Sequence, residues 1–274
     1  MNNLRLGLTE TTLLFYYYLN LKNISDKNIS DSQNCLINWL FTTSGFYDKR
    51  ITGNEFNDFD ILNVKKKSLV YHQYFDKLLI LFKKNNFHLQ PCFHNIDPSL
   101  QVYKEEFLNF INLSNKQPKI DIFTFMQNKH ILVINNLGSL MKQQFENGNV
   151  KKIHPNFPDN VKSINYFENG YTFFNNGPHN NILETANYIC EQIKDLSFDG
   201  AVISAGAYSC LIADFIINHL QKEVFVIGGE LSYFFGIKCK RNSFTNFENK
   251  EYLLEVPLEM KPEGYEKIED GCYW

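Results

Sequence analysis

The sequence predicts an α/β fold: a Rossmann-like parallel sheet with helices on both faces, plus a mostly helical insertion in the N-terminal half. Short apolar runs rich in β-branched residues predict buried strands at 130–134, 199–204 and 224–227. Apolar residues with helical spacing lie between or after these runs, over 140–145, 182–193 and 209–220. Strands that alternate with helices and are apolar throughout are typical of a parallel sheet buried on both faces.

The N-terminal half is predicted to begin with a strand–loop–helix unit. Residues 4–7 are expected to form a short strand, and Thr9 is the expected N-cap of the following helix. Helical spacing predicts further helices over 35–41, 71–82 and 105–113. We therefore expect one domain over 1–274. Its parts are an N-terminal strand–helix unit with a helical part (1–118), a Rossmann-like part (119–241) and a C-terminal tail that packs back (242–274).

Composition excludes two classes of protein. A net charge of −3 over 274 residues argues against a nucleic-acid binder, which would carry a strongly basic surface. The apolar stretch at 13–19 is too short to cross a bilayer, so no membrane span is expected. The six cysteines and seven histidines are dispersed without metal-binding spacing, and His154 is expected in a loop. We expect a cytoplasmic protein with reduced thiols.

Glycine-containing loops follow three of the predicted strands, at 7–10, 204–208 and 228–230, and two of them are expected to precede helices. In an open parallel sheet, ligands bind at the carboxyl ends of the strands, where the strand order reverses. Glycine lets the backbone approach a ligand closely, and a helix N-terminus favours anions. These loops therefore predict anion binding, with ordinary turn chemistry as the alternative. The dinucleotide, P-loop, serine-elbow and H-E-x-x-H motifs are absent.

Charged residues near these loops are the candidates for chemistry. Arg5 and Arg241 are two of only three arginines in the chain, and lysine cannot reproduce the bidentate grip of arginine on phosphate. Lys238, Lys240 and Arg241 follow the Gly-Gly loop and suit a diphosphate, whereas pattern alone favours a solvated surface turn. Glu10 lies close to Arg5 in the sequence. The pattern leaves it open whether Glu10 is a metal ligand, a general base or the ion-pair partner of Arg5.

Five sequence blocks carry a resemblance to a known family. They are R-L-G-L-T-E at 5–10, K-H-I-L-V-I with S-L-M-K-Q-Q at 129–144, D-G-A-V-I-S-A-G-A-Y at 199–208, G-G-E-L-S-Y-F-F-G-I-K-C-K-R at 228–241 and I-E-D-G-C-Y-W at 268–274. Together they resemble a family of bacterial, phage and giant-virus proteins found among polysaccharide genes. The first block is also similar to the R-F-G-D-G-E segment of the GT-D type of glycosyltransferase.

The resemblance implies a glycosyltransferase that moves a sugar from a nucleotide-sugar donor, expected to be a UDP-sugar, to a glycan acceptor. It implies Mn²⁺ or Mg²⁺ as the metal, and Glu10 as the metal ligand or base. The residues that it implies for donor and phosphate binding are Arg5, Gly7, Gly206, Tyr208, Gly228, Gly229, Lys238 and Arg241. On the acceptor side it implies Glu269 and Trp274, because aromatic faces suit sugar rings.

Several departures distinguish this chain from the family pattern. Leu8 stands in place of the Asp of R-F-G-D-G-E, Cys239 in place of a Gly and Asn242 in place of a Trp. Asn135 and Asn136 stand where His-Pro-Phe is usual. Two alternatives therefore remain beside the transferase. One is another Rossmann-like enzyme with a nucleotide cofactor, such as a methyltransferase that binds S-adenosylmethionine. The other is a non-catalytic protein of glycan assembly that binds no donor nucleotide.

Overall fold

The structure is a computed structural model that describes residues 2–24, 69–84, 98–111, 121–173, 177–240, 249–268 and 271–274. The predicted helix over 35–41 lies outside these residues. The described helices are α1 (Leu8–Leu21), α2 (Leu69–Lys84), α3 (Gln101–Phe110), α4 (Ile122–Met126), α5 (Gly138–Glu146), α6 (Asn149–Ile153), α7 (Ile182–Ile193), α8 (Tyr208–Asn218) and α9 (Glu230–Phe234). The described strands are β1 (His130–Ile134), β2 (Ser163–Phe167), β3 (Gly200–Ile203), β4 (Glu223–Val226), β5 (Ile237–Lys238) and β6 (Leu254–Glu255).

Four parallel strands form the main sheet in the order β2-β1-β3-β4. The chain passes from β1 to β2 on one side and then returns to place β3 on the other side of β1. The strand order therefore reverses between β1 and β3, which is the point where open parallel sheets bind ligands. This arrangement confirms the predicted α/β, Rossmann-like fold.

The N-terminal segment extends this sheet beyond β4. The Asn3 N–H donates to the Val224 carbonyl (2.9 Å), and the Val226 N–H donates to the Asn3 carbonyl (2.7 Å). The predicted strand at 4–7 is therefore misplaced, because pairing occurs at Asn3 and residues 4–7 run on past the end of β4. The predicted N-cap at Thr9 is also wrong. Helix α1 begins at Leu8, and Gly7 is its N-cap in an extended conformation.

Side chains alternate between the two faces of each strand, and each face has its own apolar core. On one face, Leu132 and Ile134 of β1 pack in a core with residues of α1, α2, α3, α7 and α8. On the other face, Ile131 and Val133 pack with residues of α4, α5, α6, α9 and the C-terminal segment. Helices therefore cover both faces, as the apolar strands predict. No described helix is both long and apolar enough to cross a membrane.

Most predicted elements of the second half are confirmed to within two residues. Helix α7 spans 182–193 as predicted, and β1 spans 130–134. The apolar pattern does not predict β2, because its Ser163, Asn165 and half-buried apolar residues do not form the apolar run of a central strand. It also misses the short helix α9 after Gly229, so all three glycine-containing loops precede helices.

Candidate functional site

The carboxyl ends of the four parallel strands and the N-terminal segment meet at one edge of the sheet. Asparagine and serine side chains join the loops at this edge. Asn135, which is buried, donates from Nδ2 to the Ser204 carbonyl (2.9 Å) and accepts from the Leu137 N–H (2.8 Å). Ser204 Oγ in turn donates to the Gly228 carbonyl (3.0 Å). The loops after β1, β3 and β4 therefore form one hydrogen-bonded row that crosses the point of strand reversal.

Arg5 supplies a positive charge at this edge. Its guanidinium lies against Gly228: a Cβ atom added at Gly228 would be 3.3 Å from Arg5 Nη1. The same Nη1 forms an ion pair with Glu230 Oε1 at 3.3 Å, and 32% of the Arg5 side chain is exposed. The fold thus brings together Arg5 and Gly228, which belong to the first and fourth of the resembling blocks.

Glu10 lies in the first turn of α1 and is buried, with an exposure of 8%. Its carboxylate occupies the space that a side chain at Gly7 would need, because a Cβ atom there would lie 2.1 Å from Glu10 Oε2. The groups that surround it come from α2 and α8. Burial, followed by the charge of Glu10, raises the pKa values of Tyr74 and Cys210.

Hydrogen bonds fix the elements around Glu10. Tyr74 on α2 donates from its hydroxyl to the Ala207 carbonyl (3.0 Å), just before α8. Cys210 Sγ donates to the Arg5 carbonyl (3.7 Å). The Gly7 carbonyl accepts from both the N–H (2.9 Å) and the hydroxyl (2.8 Å) of Thr11. The segment that carries Arg5 and Glu10 is therefore held against the first turn of α8.

The loop after β3 exposes backbone and buries its tyrosine. Gly206 is exposed and has a φ of +55°, a conformation that favours glycine. Tyr208 begins α8, but its ring is fully buried and its hydroxyl shares a hydrogen bond with Thr172 Oγ1 (2.7 Å). The ring of Tyr208 therefore belongs to the core. Gly229 is the N-cap of α9.

The structure places Lys238 apart from this edge in the fold. Lys238 lies in the second sheet, where β5 pairs with β6, and it forms an ion pair with Glu255 (2.5 Å). That hydrogen bond, together with the charge of Lys238, lowers the pKa of the Glu255 carboxyl. Arg241 lies outside the described residues. Of the basic group that the sequence places after the Gly-Gly loop, the structure describes Lys238, which has its own acidic partner, and Lys240, which is exposed.

Trp274 is buried in an aromatic cluster. Its ring contacts Tyr171, Phe173, Tyr265 and Tyr273, and its indole N–H donates to the Tyr171 hydroxyl (3.0 Å). Burial raises the pKa of Tyr171 to about 12, while the bond from Trp274 opposes that rise. Only 5% of Trp274 is exposed, so its faces pack against protein. Glu269 lies outside the described residues.

The side chains at this edge would give a metal ion few ligands from the protein. Among the described residues, no group of three or more His, Cys, Asp and Glu side chains is arranged to hold one. Mg²⁺ is usually held by one or two carboxylates together with waters and substrate phosphates, and Glu10 provides one buried carboxylate. Leu8 stands where a second carboxylate of the GT-D segment would be.

Comparisons with family models, with curated proteins and with solved structures return no match. The fold defines an α/β protein with a Rossmann-like sheet, and the edge just described lies at its strand reversal, the place where open parallel sheets bind ligands. Asn135 and Ser204 form the centre of this edge. Neither was among the predicted binding residues, although Asn135 directly follows β1 and Ser204 directly follows β3, which is the signal that marks them.

Proposed function

We propose that this protein is a glycosyltransferase that moves a sugar from a nucleotide-sugar donor, expected to be a UDP-sugar, to a glycan acceptor. The meeting of Arg5, Gly228, Gly7 and Glu10 at the carboxyl edge of the sheet carries this proposal. These residues come from blocks near opposite ends of the chain that both resemble the family. They combine a cation, a buried carboxylate and close backbone approach next to the strand reversal, where nucleotides bind in such folds.

Arg5 and the N-terminus of α8 suit the leaving group. When the bond between the anomeric carbon and the diphosphate oxygen breaks, negative charge develops on the diphosphate. The Arg5 guanidinium presents several N–H donors in a planar fork that matches phosphate oxygens. Helix α8 adds the partial positive charge of its N-terminus beside Gly206. Gly228 lets the guanidinium lie against the backbone.

Glu10 is the proposed general base. It accepts the proton of the acceptor hydroxyl while the acceptor oxygen bonds to the anomeric carbon and the diphosphate departs. It lies in the first turn of α1, at the positive end of the helix dipole. The proposed location is the cytoplasm, where nucleotide sugars are supplied to such enzymes.

Ligand binding is the first test. Thermal unfolding is recorded with UDP, GDP, CMP, dTDP, S-adenosylmethionine and NAD, each with and without Mn²⁺. A ligand at 100 times its Kd adds about 2.7 kcal/mol to the free energy of unfolding. Stabilisation by one nucleoside diphosphate supports the transferase. Stabilisation by S-adenosylmethionine alone supports a methyltransferase, and stabilisation by none supports a non-catalytic protein of glycan assembly.

Turnover by Glu10→Gln is the second test. We expect the variant to bind the nucleoside diphosphate as the wild type does and to release it from the sugar donor at least about 100-fold more slowly, because a general base contributes that much or more. Glu191→Gln is the matched control, since Glu191 is exposed on α7 and pairs with Lys194. Wild-type turnover by Glu10→Gln contradicts the role of Glu10.

A further inference from the structure

Besides Glu10 and Glu230, a third carboxylate lies at the carboxyl edge of the sheet, on the side of the strand reversal away from Arg5. Glu168 directly follows β2, the strand next to β1. Its Oε1 accepts from the Ser139 N–H (2.7 Å) in the first turn of α5. The carboxylate is exposed, and its lone pairs outnumber this one donor. It therefore keeps acceptor capacity for hydroxyl groups of a ligand.

Gly138 fixes the position of this carboxylate. A Cβ atom added at Gly138 would lie 3.1 Å from Glu168 Cγ and 3.3 Å from Tyr166 Cβ. The start of α5 therefore packs directly on the end of β2, with no room for a side chain without displacement of Glu168. The same close packing of helix on strand, with an acidic residue that follows the second strand, occurs where dinucleotide-binding folds hold a ribose hydroxyl.

Charge decides which part of a nucleotide suits this side. The N-terminus of α5 already faces the Glu168 carboxylate, so a phosphate placed there would meet a like charge. A ribose hydroxyl can donate to the Glu168 oxygens, whereas phosphate oxygens carry no hydrogen to donate.

We propose that Glu168 binds the ribose 2′,3′-diol of a nucleotide that lies across the edge of the sheet, with its phosphates directed towards Arg5. Two strand spacings, about 10 Å, separate β2 from β3, whose loop leads to Gly206 and α8. An extended nucleoside diphosphate reaches from one to the other. The position of the diphosphate in this inference rests on the proposed function. The contact between Glu168 and the diol does not, because any nucleotide with a ribose offers the same two hydroxyls.

The test compares a ribonucleotide with its 2′,3′-dideoxy analogue in wild-type protein and in Glu168→Ala. Binding is measured by calorimetry with whichever of UDP, GDP, CDP and ADP stabilises the protein most. A hydrogen bond to a charged group corresponds to roughly tenfold in affinity or more, so the wild type should prefer the ribonucleotide by that factor. In Glu168→Ala the ratio of the two affinities, ribonucleotide over dideoxy analogue, should fall to about one. The control Glu146→Gln changes an exposed residue on α5 and should leave this ratio as in the wild type.

This ratio separates a ligand contact from a structural role. Loss of the bond to Ser139 weakens the start of α5 and affects both nucleotides alike, so it leaves the ratio unchanged. A preference that persists in Glu168→Ala, or that is absent from the wild type, overturns the proposal. If only S-adenosylmethionine binds, the transferase fails while Glu168 is tested with adenosine and dideoxyadenosine. If no ribonucleotide binds, both proposals are overturned.

Discussion

The position of the Glu10 carboxylate depends on the absence of a side chain at Gly7. The backbone of Gly7 has a φ of −64° and a ψ of 166°, which alanine adopts without strain. A Cβ atom at this position would lie 2.1 Å from Glu10 Oε2 and 2.9 Å from Cδ. Gly7→Ala therefore keeps the carboxylate in the protein but forces it to move.

The size of both effects follows from this geometry. An ordinary contact needs 3.4 Å or more, so the carboxylate must retreat from 2.1 Å by about 1.3 Å, and such a misplacement of the proposed general base costs on the order of 100-fold in rate. Gly7 is also the N-cap of α1, where alanine is worse than glycine by about 0.5–1 kcal/mol. That loss lowers the melting temperature by only about 1–4 °C.

Gly7→Ser separates the two effects. Serine is a preferred N-cap, so its melting temperature should stay near that of the wild type, while its Cβ displaces Glu10 as alanine does. We expect both variants to lose about 100-fold in kcat/KM for the nucleotide sugar. The reasoning is refuted if both keep the wild-type kcat/KM while Glu10→Gln is inactive, because the position of the carboxylate would then be irrelevant.

Three further predictions concern charge, protonation and packing. Glu230→Gln removes the ion-pair partner of Arg5 and should tighten nucleoside diphosphate binding by up to about fivefold in calorimetry, as for an exposed pair; weaker binding would contradict this. Burial lowers the pKa of His154 below its ordinary value, so the unfolded chain binds more protons near pH 6. The contribution of His154 to the free energy of unfolding should therefore be complete above about pH 6.5 and should be lost as the pH falls below that value. In urea unfolding, the His154→Gln variant should lack this part of the pH dependence. Gly236→Ala should cost at least about 2 kcal/mol, because its φ is +72° and the new Cβ would lie 2.3 Å from Ile153 Cδ1. Gly170→Ala, with a φ of +73° and open space around it, should cost only about 1 kcal/mol, and equal losses would show that the contact is relieved.

Local patterns predict the elements of this fold where the pattern is strong. The β-branched run at 130–134 and the helical spacing at 182–193 each give the observed element to the residue. Edge strands carry a weaker signal. β2 has one neighbour in the sheet and half-buried residues, so its composition resembles that of a loop. At Asn3, two backbone hydrogen bonds create the pairing, and no side-chain pattern records them.

The candidate site is predictable only in part, because it depends on contacts between distant segments. The glycine loops and Arg5 are visible in the sequence, but the contact of Arg5 with Gly228 depends on the N-terminal segment lying next to β4. The sequence places Tyr208 in the glycine-containing loop after a strand. In the structure Tyr208 begins α8, and its ring is buried in the core. Lys238 lies close to the Gly-Gly loop in sequence and in a different sheet in space.

The distribution of charge along this edge gives a direction to a nucleotide bound as proposed. Arg5, in the N-terminal segment beside β4, lies at one end, and Glu168 follows β2 at the other, with the strand reversal between them. A phosphate is attracted to the first and repelled by the second, while a ribose has no such penalty at Glu168. The reverse orientation would bring the diphosphate against a carboxylate and leave Arg5 with Glu230 alone. The two ends of the edge therefore favour the same orientation of a nucleotide bound as proposed.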